Sequence, residues 1–191
     1  MMSINYKQCP ECGSKNSLKI IYGMANYELF QEAEAGKIRR SCCCIIEDAP
    51  KYFCKDCEHE WNRKQSINAA YSKIKTIRAS VGGFSEGYYK VDIDLVNLKT
   101  TWIHWGGEEA MSNKAIRSAT AEKFIEQLKR TSLMNWKTNY IEPDICDGTQ
   151  WNIEILTDER TISKYGSNMF PKEWDLFCKV IKRLVHKQFY E

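Results

Sequence analysis

Alternation of apolar and polar side chains dominates two stretches in the second half of the chain. In EGYYKVDIDLVNLKTTWIHWGG, residues 86 to 107, Val91, Ile93 and Leu95 alternate with polar and acidic side chains. DGTQWNIEILTDERTISKYGS, residues 147 to 167, shows the same period. Side chains along a strand point to opposite faces in turn, so each stretch predicts a two-stranded hairpin with one buried face.

A helical period follows each predicted hairpin. SATAEKFIEQLKRT (118 to 131) and PKEWDLFCKVIKRLV (171 to 185) each carry one apolar stripe, which predicts an amphipathic helix in both places. One more candidate strand precedes each hairpin, at 72 to 81 and at 135 to 141. The pattern is therefore three strands and a helix, twice.

The two sets of elements resemble each other in sequence. Each hairpin stretch opens on an acidic residue followed by glycine and closes on an aromatic residue followed by glycine, Trp105 in the first and Tyr165 in the second. We predict a duplicated domain at residues 66–191, with repeat units of about 72–133 and 135–190. Because neither repeat can bury its apolar face alone, we expect an α+β fold with one antiparallel sheet covered by helices.

Shorter elements are predicted in the first third of the chain. SLKIIYG (17 to 23) predicts a strand, and NYELFQEAEAGK predicts a short helix that begins after the N-cap Asn26 and ends at Gly36. IRRSCCCII (38 to 46) is the apolar segment available for a return strand. We expect these elements to form a separate domain, residues 1–65.

Four of the nine cysteines form two pairs with the same spacing, CPEC and CKDC. A Cys-x-x-Cys turn directs two sulfurs at one centre, and two such turns supply the four thiolates that tetrahedral zinc prefers in a closed structural site. We therefore predict a zinc ribbon, with a short helix inserted, in which Zn²⁺ is bound by Cys9, Cys12, Cys54 and Cys57. The alternative is a pair of redox dithiols or inert buried thiols.

Three adjacent cysteines lie on the predicted return strand. Cys42 and Cys44 would point to one face and Cys43 to the other, so the three cannot all bind one ion with good geometry. We interpret them as small apolar residues of the core, with a substitute metal ligand or a redox role as the alternative. His59 is interpreted as a surface residue rather than a fifth ligand.

The N-terminal sequence also resembles a known family. CPECGS, LKIIYGMANYELFQEAEAGKI, SCCCIIEDAP and FCKDCEHEW are similar to the pattern C-P-x-C-G, I-x-Y-G, E-L, A-x-x-G, G-G-C, C-x-x-C of an uncharacterised family of small bacterial proteins. The similarity covers about the first 61 residues, and it departs from the family where Ser41 and Cys42 replace a glycine pair. The resemblance implies zinc binding, and it brings no catalytic residues.

Charge and hydrophobicity limit the compartments and partners that are compatible with this chain. The net charge is +3 and the two signs are interspersed, so the chain has no polybasic arm for a phosphate backbone. No apolar run reaches the roughly 20 residues of a membrane helix, and the N-terminus lacks the features of a secretory signal. We therefore expect a cytoplasmic protein without a membrane segment, in which thiols stay reduced.

The clearest catalytic candidates are two aspartates and a histidine in the first hairpin. Asp92 and Asp94 share one face of a strand, and His104 could serve as a general base or a metal ligand. If Trp102 and Glu154 line the same face, that face is acidic and aromatic, which suits a protein or a small ligand.

The sequence has no phosphate-binding loop in a strand-to-helix context, no nucleophile elbow and no zinc-protease motif. We therefore expect a binding protein with a protein partner rather than an enzyme. One alternative is a nucleic-acid-binding ribbon that uses Arg39, Arg40, Arg63 and Lys64. The other is an enzyme with its site on the sheet face around His104.

Overall fold

The computed structural model describes residues 4–24, 26–41, 47–83, 87–106, 109–143 and 148–190. The chain divides into two compact units. The N-terminal unit is Ile4–Ala70, and the C-terminal unit begins at Tyr71.

The N-terminal unit is built on a small four-stranded sheet. Its strands are β1 (Ser17–Ile21), β2 (Ile38–Arg40), β3 (Tyr52–Cys54) and β4 (Glu60–Trp61), in the order β2-β1-β3-β4. Helix α1 (Tyr27–Glu34) lies between β1 and β2 in the chain, and helix α2 (Arg63–Ser72) follows β4. The domain boundary predicted after residue 65 falls within α2.

The predicted inserted helix, α1, is confirmed at both ends. The Asn26 Oδ1 accepts a hydrogen bond from the N–H of Leu29 at 3.0 Å, which satisfies a donor that the first helical turn leaves free. Beyond the last turn, Gly36 adopts a φ of 66°, which favours glycine. β1 and β2 are parallel neighbours, because the helix supplies the crossover that parallel strands require.

Few apolar side chains are buried in the N-terminal unit. Among its described residues they are Cys9, Ile20, Ala49, Cys54 and Trp61. Trp61 packs with Cys9 and Cys54, and its Nε1 donates a hydrogen bond to the carbonyl oxygen of Tyr6 at 3.0 Å. A unit of this size with so small a core needs a further source of stability, such as a metal.

The C-terminal unit is built on one seven-stranded sheet. Its strands are β5 (Ile74–Gly83), β6 (Gly87–Asp94), β7 (Lys99–Trp105), β8 (Ala110–Ala115), β9 (Asn139–Ile141), β10 (Gln150–Thr157) and β11 (Thr161–Ser167), in the order β8-β7-β6-β5-β10-β11-β9. Its helices are α3 (Ser118–Arg130), a 3-10 turn at Leu133–Asn135, and α4 (Trp174–Val185). Neighbouring strands are antiparallel except for β9, which runs parallel to β11.

The α+β fold is confirmed, including both predicted hairpins and the helix after each. Leu95, predicted as an inward strand residue, lies instead in the turn between β6 and β7. α2 and β8 are not predicted from the sequence pattern. β8 is an edge strand with largely exposed side chains, so pairing with β7 rather than an apolar period holds it in the sheet.

The predicted duplication stays a hypothesis, because the two halves of the sheet are arranged differently. β5 lies next to β6, the first strand of the hairpin that follows it. β9 lies next to β11, the second strand of the hairpin that follows it. Similar hairpin sequences therefore occupy different topological positions.

The large sheet has one covered and one open face. On the covered face, Val91 of β6 and Ile153 of β10 are fully buried, and the Trp151 ring of β10 packs against Trp174 of α4 at 4.9 Å between centroids. Alternating residues of the same strands point the other way. This open face carries Arg78, Ser80, Tyr88, Lys90, Asp92, Trp105, Asn152, Glu154 and Tyr165.

Candidate metal centre

Each of the two Cys-x-x-Cys turns of the N-terminal unit contains the same kind of backbone hydrogen bond. The N–H of Cys9 donates to the carbonyl oxygen of Ser14 at 2.8 Å. At the same spacing, the N–H of Cys54 donates to the carbonyl oxygen of His59 at 2.9 Å. Each turn therefore closes just beyond its second cysteine.

A second backbone hydrogen bond also occurs in both turns, and it requires a residue with a left-handed backbone conformation in each. The N–H of Gly13 donates back to the carbonyl oxygen of Cys9, and the N–H of Glu58 donates back to that of Cys54, both at 3.0 Å. The φ angles are 74° at Gly13 and 60° at Glu58. Glycine adopts this conformation freely, whereas Glu58 adopts it at a cost.

The four sulfurs of these turns form one cluster. The Sγ atoms of Cys9 and Cys57 are 3.6 Å apart, as are those of Cys12 and Cys54, and all four lie within 4.8 Å of one another. None of the four is in a disulfide. A tetrahedron with zinc–sulfur bonds of about 2.3 Å would place its sulfurs about 3.8 Å apart. The cluster therefore fits a tetrahedral metal ion.

The thiols of the cluster differ in pKa, and Cys54 and Cys57 differ most clearly. Burial opposes ionisation of Cys54, but hydrogen bonds from the backbone N–H groups of Cys57 and Asp56, with smaller contributions from neighbouring sulfurs, lower its pKa to about 7. The backbone N–H of His59 favours the Cys57 thiolate, but the Cys12 sulfur, burial and the other sulfurs outweigh it and raise the pKa of Cys57 to about 12. A central divalent cation would let several thiolates ionise together.

Asp56 ties the two turns together. Its Oδ2 accepts a hydrogen bond from the Ser14 Oγ at 2.5 Å, and its Oδ1 accepts one from the Asn16 Nδ2 at 2.7 Å. These bonds, that of Ser14 foremost, hold the pKa of Asp56 below its ordinary value. The role of Asp56 is not predictable from the sequence, because Ser14 and Asn16 lie far from it in the chain and no local motif joins them.

Among the described residues, Cys178 is the one further cysteine, and it lies outside the sulfur cluster. Cys42, Cys43 and Cys44 lie outside the described residues, so their predicted place on a return strand stays a prediction. Cys178 is buried on α4, where burial raises the pKa of its thiol to about 12. The His59 ring stacks on Trp61 at 6.2 Å between centroids, and His59 does not belong to the sulfur cluster.

The three catalytic candidates Asp92, Asp94 and His104 do not share one face of the sheet. Asp92 lies on the open face, where its Oδ2 accepts a hydrogen bond from the Arg78 Nε at 3.0 Å. His104 pairs with Tyr89 of β6 and stacks on it at 4.4 Å between centroids. Positions 89 and 92 of one strand face opposite sides, so the carboxylate and the imidazole are separated by the sheet.

The predicted acidic and aromatic face is also corrected. Trp102 shares the covered face with His104, and its Nε1 donates to the carbonyl oxygen of Gln188 at 2.6 Å. The Asp94 carboxylate accepts hydrogen bonds from backbone N–H groups of the turn between β6 and β7. The bond from the backbone of Asn97 is the main cause of the lowered pKa of Asp94. Glu154 remains on the open face, 3.9 Å from Arg78.

The arginines of the nucleic-acid alternative contact aromatic rings of their own unit. The guanidinium of Arg39 lies 3.7 Å from the centroid of Phe53, and Arg63 lies 4.5 Å from that of Tyr6. Arg39 also forms an ion pair with Glu60 at 3.4 Å. Packing within the unit therefore accounts for these positions.

No protein-family model matches this chain, and no curated protein matches it either. In the part of the chain that the structure describes, no helix is both long and apolar enough to cross a membrane.

Proposed function

We propose that this is a zinc-binding protein in which Cys9, Cys12, Cys54 and Cys57 hold one structural Zn²⁺. The observation that carries the proposal is the cluster of four sulfurs within 4.8 Å of one another. Four protein ligands leave no open position for a substrate, which is typical of a structural rather than a catalytic site. Reduced thiols suit a cytoplasmic location, and the resemblance to the small bacterial family favours the same ion.

The small core of the N-terminal unit supports a folding role for the ion. A site that forms only in the folded chain adds its binding free energy to folding. Asp56 and the backbone N–H groups at the sulfurs would orient the ligands, as outer-shell partners do in metal sites.

Metal analysis of the full chain, purified without chelator, tests the proposal. We expect about one zinc ion per chain, and loss of that zinc in Cys54→Ser. Cys178→Ser is the matched control, because it removes a buried thiol outside the cluster and should keep the zinc. Iron in place of zinc would contradict the metal identity, since four thiolates also suit iron. Zinc well below one ion per chain would contradict the site.

We also propose that the protein acts by binding a protein partner through α1. None of the α1 side chains is buried. Within the helix, Tyr27 is 76% exposed and Phe30, three residues later, is also exposed; Met24, before the helix, is 97% exposed. Apolar residues at this spacing are typical of helices that dock into the groove of another protein.

Photo-crosslinking tests this surface. A photoreactive phenylalanine at Tyr27 should give one discrete crosslinked species in cells, and Phe30→Glu should abolish it because it places a charge in the apolar contact. The same photoreactive residue at Lys172, an exposed position of the C-terminal unit, is the control. Equal crosslinking at both positions would contradict a specific partner at α1.

A further inference from the structure

The open face of the C-terminal sheet contains a trough that the metal site does not explain. Two depressions, of about 810 Å³ and about 350 Å³, lie side by side on it. Both are lined by Ser80, Tyr88 and Asn152, so they form one continuous trough across β6, β5 and β10.

Aromatic rings stand at both ends of the trough. Tyr88 and Trp105 occupy directly paired positions of β6 and β7, and are 44% and 38% exposed. Tyr165 of β11, also 44% exposed, borders the other end. β5 and β10 separate Tyr88 from Tyr165, which corresponds to about 14 Å at normal strand spacing. A ligand that contacts both platforms must be longer than one ring.

The formal charges along the trough cancel. Arg78 lies between Asp92, at 3.0 Å, and Glu154, at 3.9 Å, and Lys90 supplies the second cation. A single-stranded nucleic acid needs an excess of cations along its backbone, so this balance does not favour one. The same groups suit a neutral ligand rich in hydroxyls, because carboxylates accept, guanidinium and ammonium groups donate, and Ser80 and Asn152 do both.

We infer that this trough binds a neutral oligosaccharide. Sugar rings present apolar C–H faces that pack on aromatic rings, and their edges carry hydroxyls for the polar groups between the platforms. The length of the trough matches a chain of several sugars rather than a monosaccharide. This inference is independent of the proposed zinc site and of the α1 surface, since all the residues involved belong to the C-terminal unit.

Titration of the full-length, metal-loaded chain with maltohexaose, cellohexaose and chitohexaose tests the inference, followed by two-dimensional NMR of the backbone amides. We expect saturable binding of at least one sugar, with shifts centred on Tyr88, Asn152 and Tyr165, and little dependence on salt. No saturation by any of the three at millimolar concentration would overturn the inference. So would salt-dependent binding of oligothymidine alone, or occupation of the trough by a partner protein.

Substitutions of the aromatic residues distinguish the loss of ring stacking on the sugar from a general effect on the fold. Trp105→Ala and Tyr165→Ala should each weaken sugar binding about tenfold, as expected for loss of one stacking platform, while Trp105→Phe should retain most of it. All three changes are at exposed positions, and unchanged amide spectra elsewhere would verify the fold. Leu176→Ala removes an exposed apolar side chain of α4, outside the trough, and is the control. Equal affinity of Trp105→Ala, Tyr165→Ala and Leu176→Ala would overturn the inference.

Discussion

At the scale of single residues, the clearest departure from the apolar pattern is a buried lysine. Lys164 lies on β11 between Ile162 and Gly166, on the covered face of the sheet, and is only 1% exposed. Its Nζ donates a hydrogen bond to the carbonyl oxygen of Trp136 at 2.5 Å. Burial lowers the pKa of this ammonium to about 8, because the charged form loses its hydration.

Lys164 should therefore make stability depend on pH. Between about pH 8 and its ordinary pKa of 10.5, the unfolded chain binds more protons than the folded chain, so the free energy of unfolding rises with pH. Lys164→Met should stabilise the C-terminal unit at pH 7 by up to about 3 kcal/mol, less about 1 kcal/mol for the lost hydrogen bond. Urea denaturation across this range measures both curves, and the difference between them should shrink as the pH rises.

The exposed Lys172 provides a control for this prediction. Lys172→Met should give a curve parallel to that of the unchanged protein at every pH. If Lys164→Met also runs parallel to it, the buried lysine is not the source of the pH dependence.

At the scale of elements, side-chain hydrogen bonds and edge pairing decide which short segments become regular. α2 begins after a reciprocal pair, in which the N–H of Asn62 donates to the Gln65 Oε1 and the N–H of Gln65 donates to the Asn62 Oδ1, at 2.8 and 3.0 Å. This is a capping box, and its sequence signature could have predicted the helix. β8 has no comparable signature, because β7 holds it through backbone pairing.

The segment after α4 completes the core of the C-terminal unit. His186 ends α4 with a φ of 56°, and the chain turns so that Phe189 becomes fully buried against Phe177. The carbonyl oxygen of Gln188 accepts the indole N–H of Trp102. Gln188 and Phe189 are therefore part of the packed structure.

Phe189→Ala should destabilise the C-terminal unit by about 3 to 5 kcal/mol, because truncation of a buried phenylalanine leaves a cavity. Urea denaturation followed by tryptophan fluorescence measures the loss. Met111→Ala, at a 64% exposed position of β8, is the control and should change stability by less than about 0.5 kcal/mol. Equal effects of the two substitutions would show that the terminal segment does not pack as described.

At the scale of the whole molecule, the two units draw their stability from different sources. The N-terminal unit has a small core around Trp61 and the sulfur cluster. The C-terminal unit buries an extended apolar layer between its sheet and helices, in which the Trp174 ring contacts both Trp151 and Phe177. Removal of a metal should therefore affect the units unequally.

Chelation of the metal from the full chain should abolish hydrogen-exchange protection in the N-terminal unit and leave it largely intact in β5, β6 and β10. Mass spectrometry of the exchanged peptides would measure both regions in one sample. Restored protection on addition of zinc is the control for irreversible damage. Uniform loss in both units would contradict separate sources of stability.

Features that depend only on neighbouring residues could be predicted from the sequence. The period of α3 and α4, the alternation in both hairpins and the Asn26 cap are local, and so is the spacing within each cysteine pair. The two cysteine pairs could also be matched as ligands of one centre, because four thiolates complete a tetrahedral site.

The tertiary structure was needed to show which side chains of different strands share a face. The register that pairs Tyr89 with His104 separates that histidine from Asp92, and a shift of one residue would have united them. The turn between β6 and β7 and the burial of one sheet face set this register, and the alternation of apolar residues alone does not specify it.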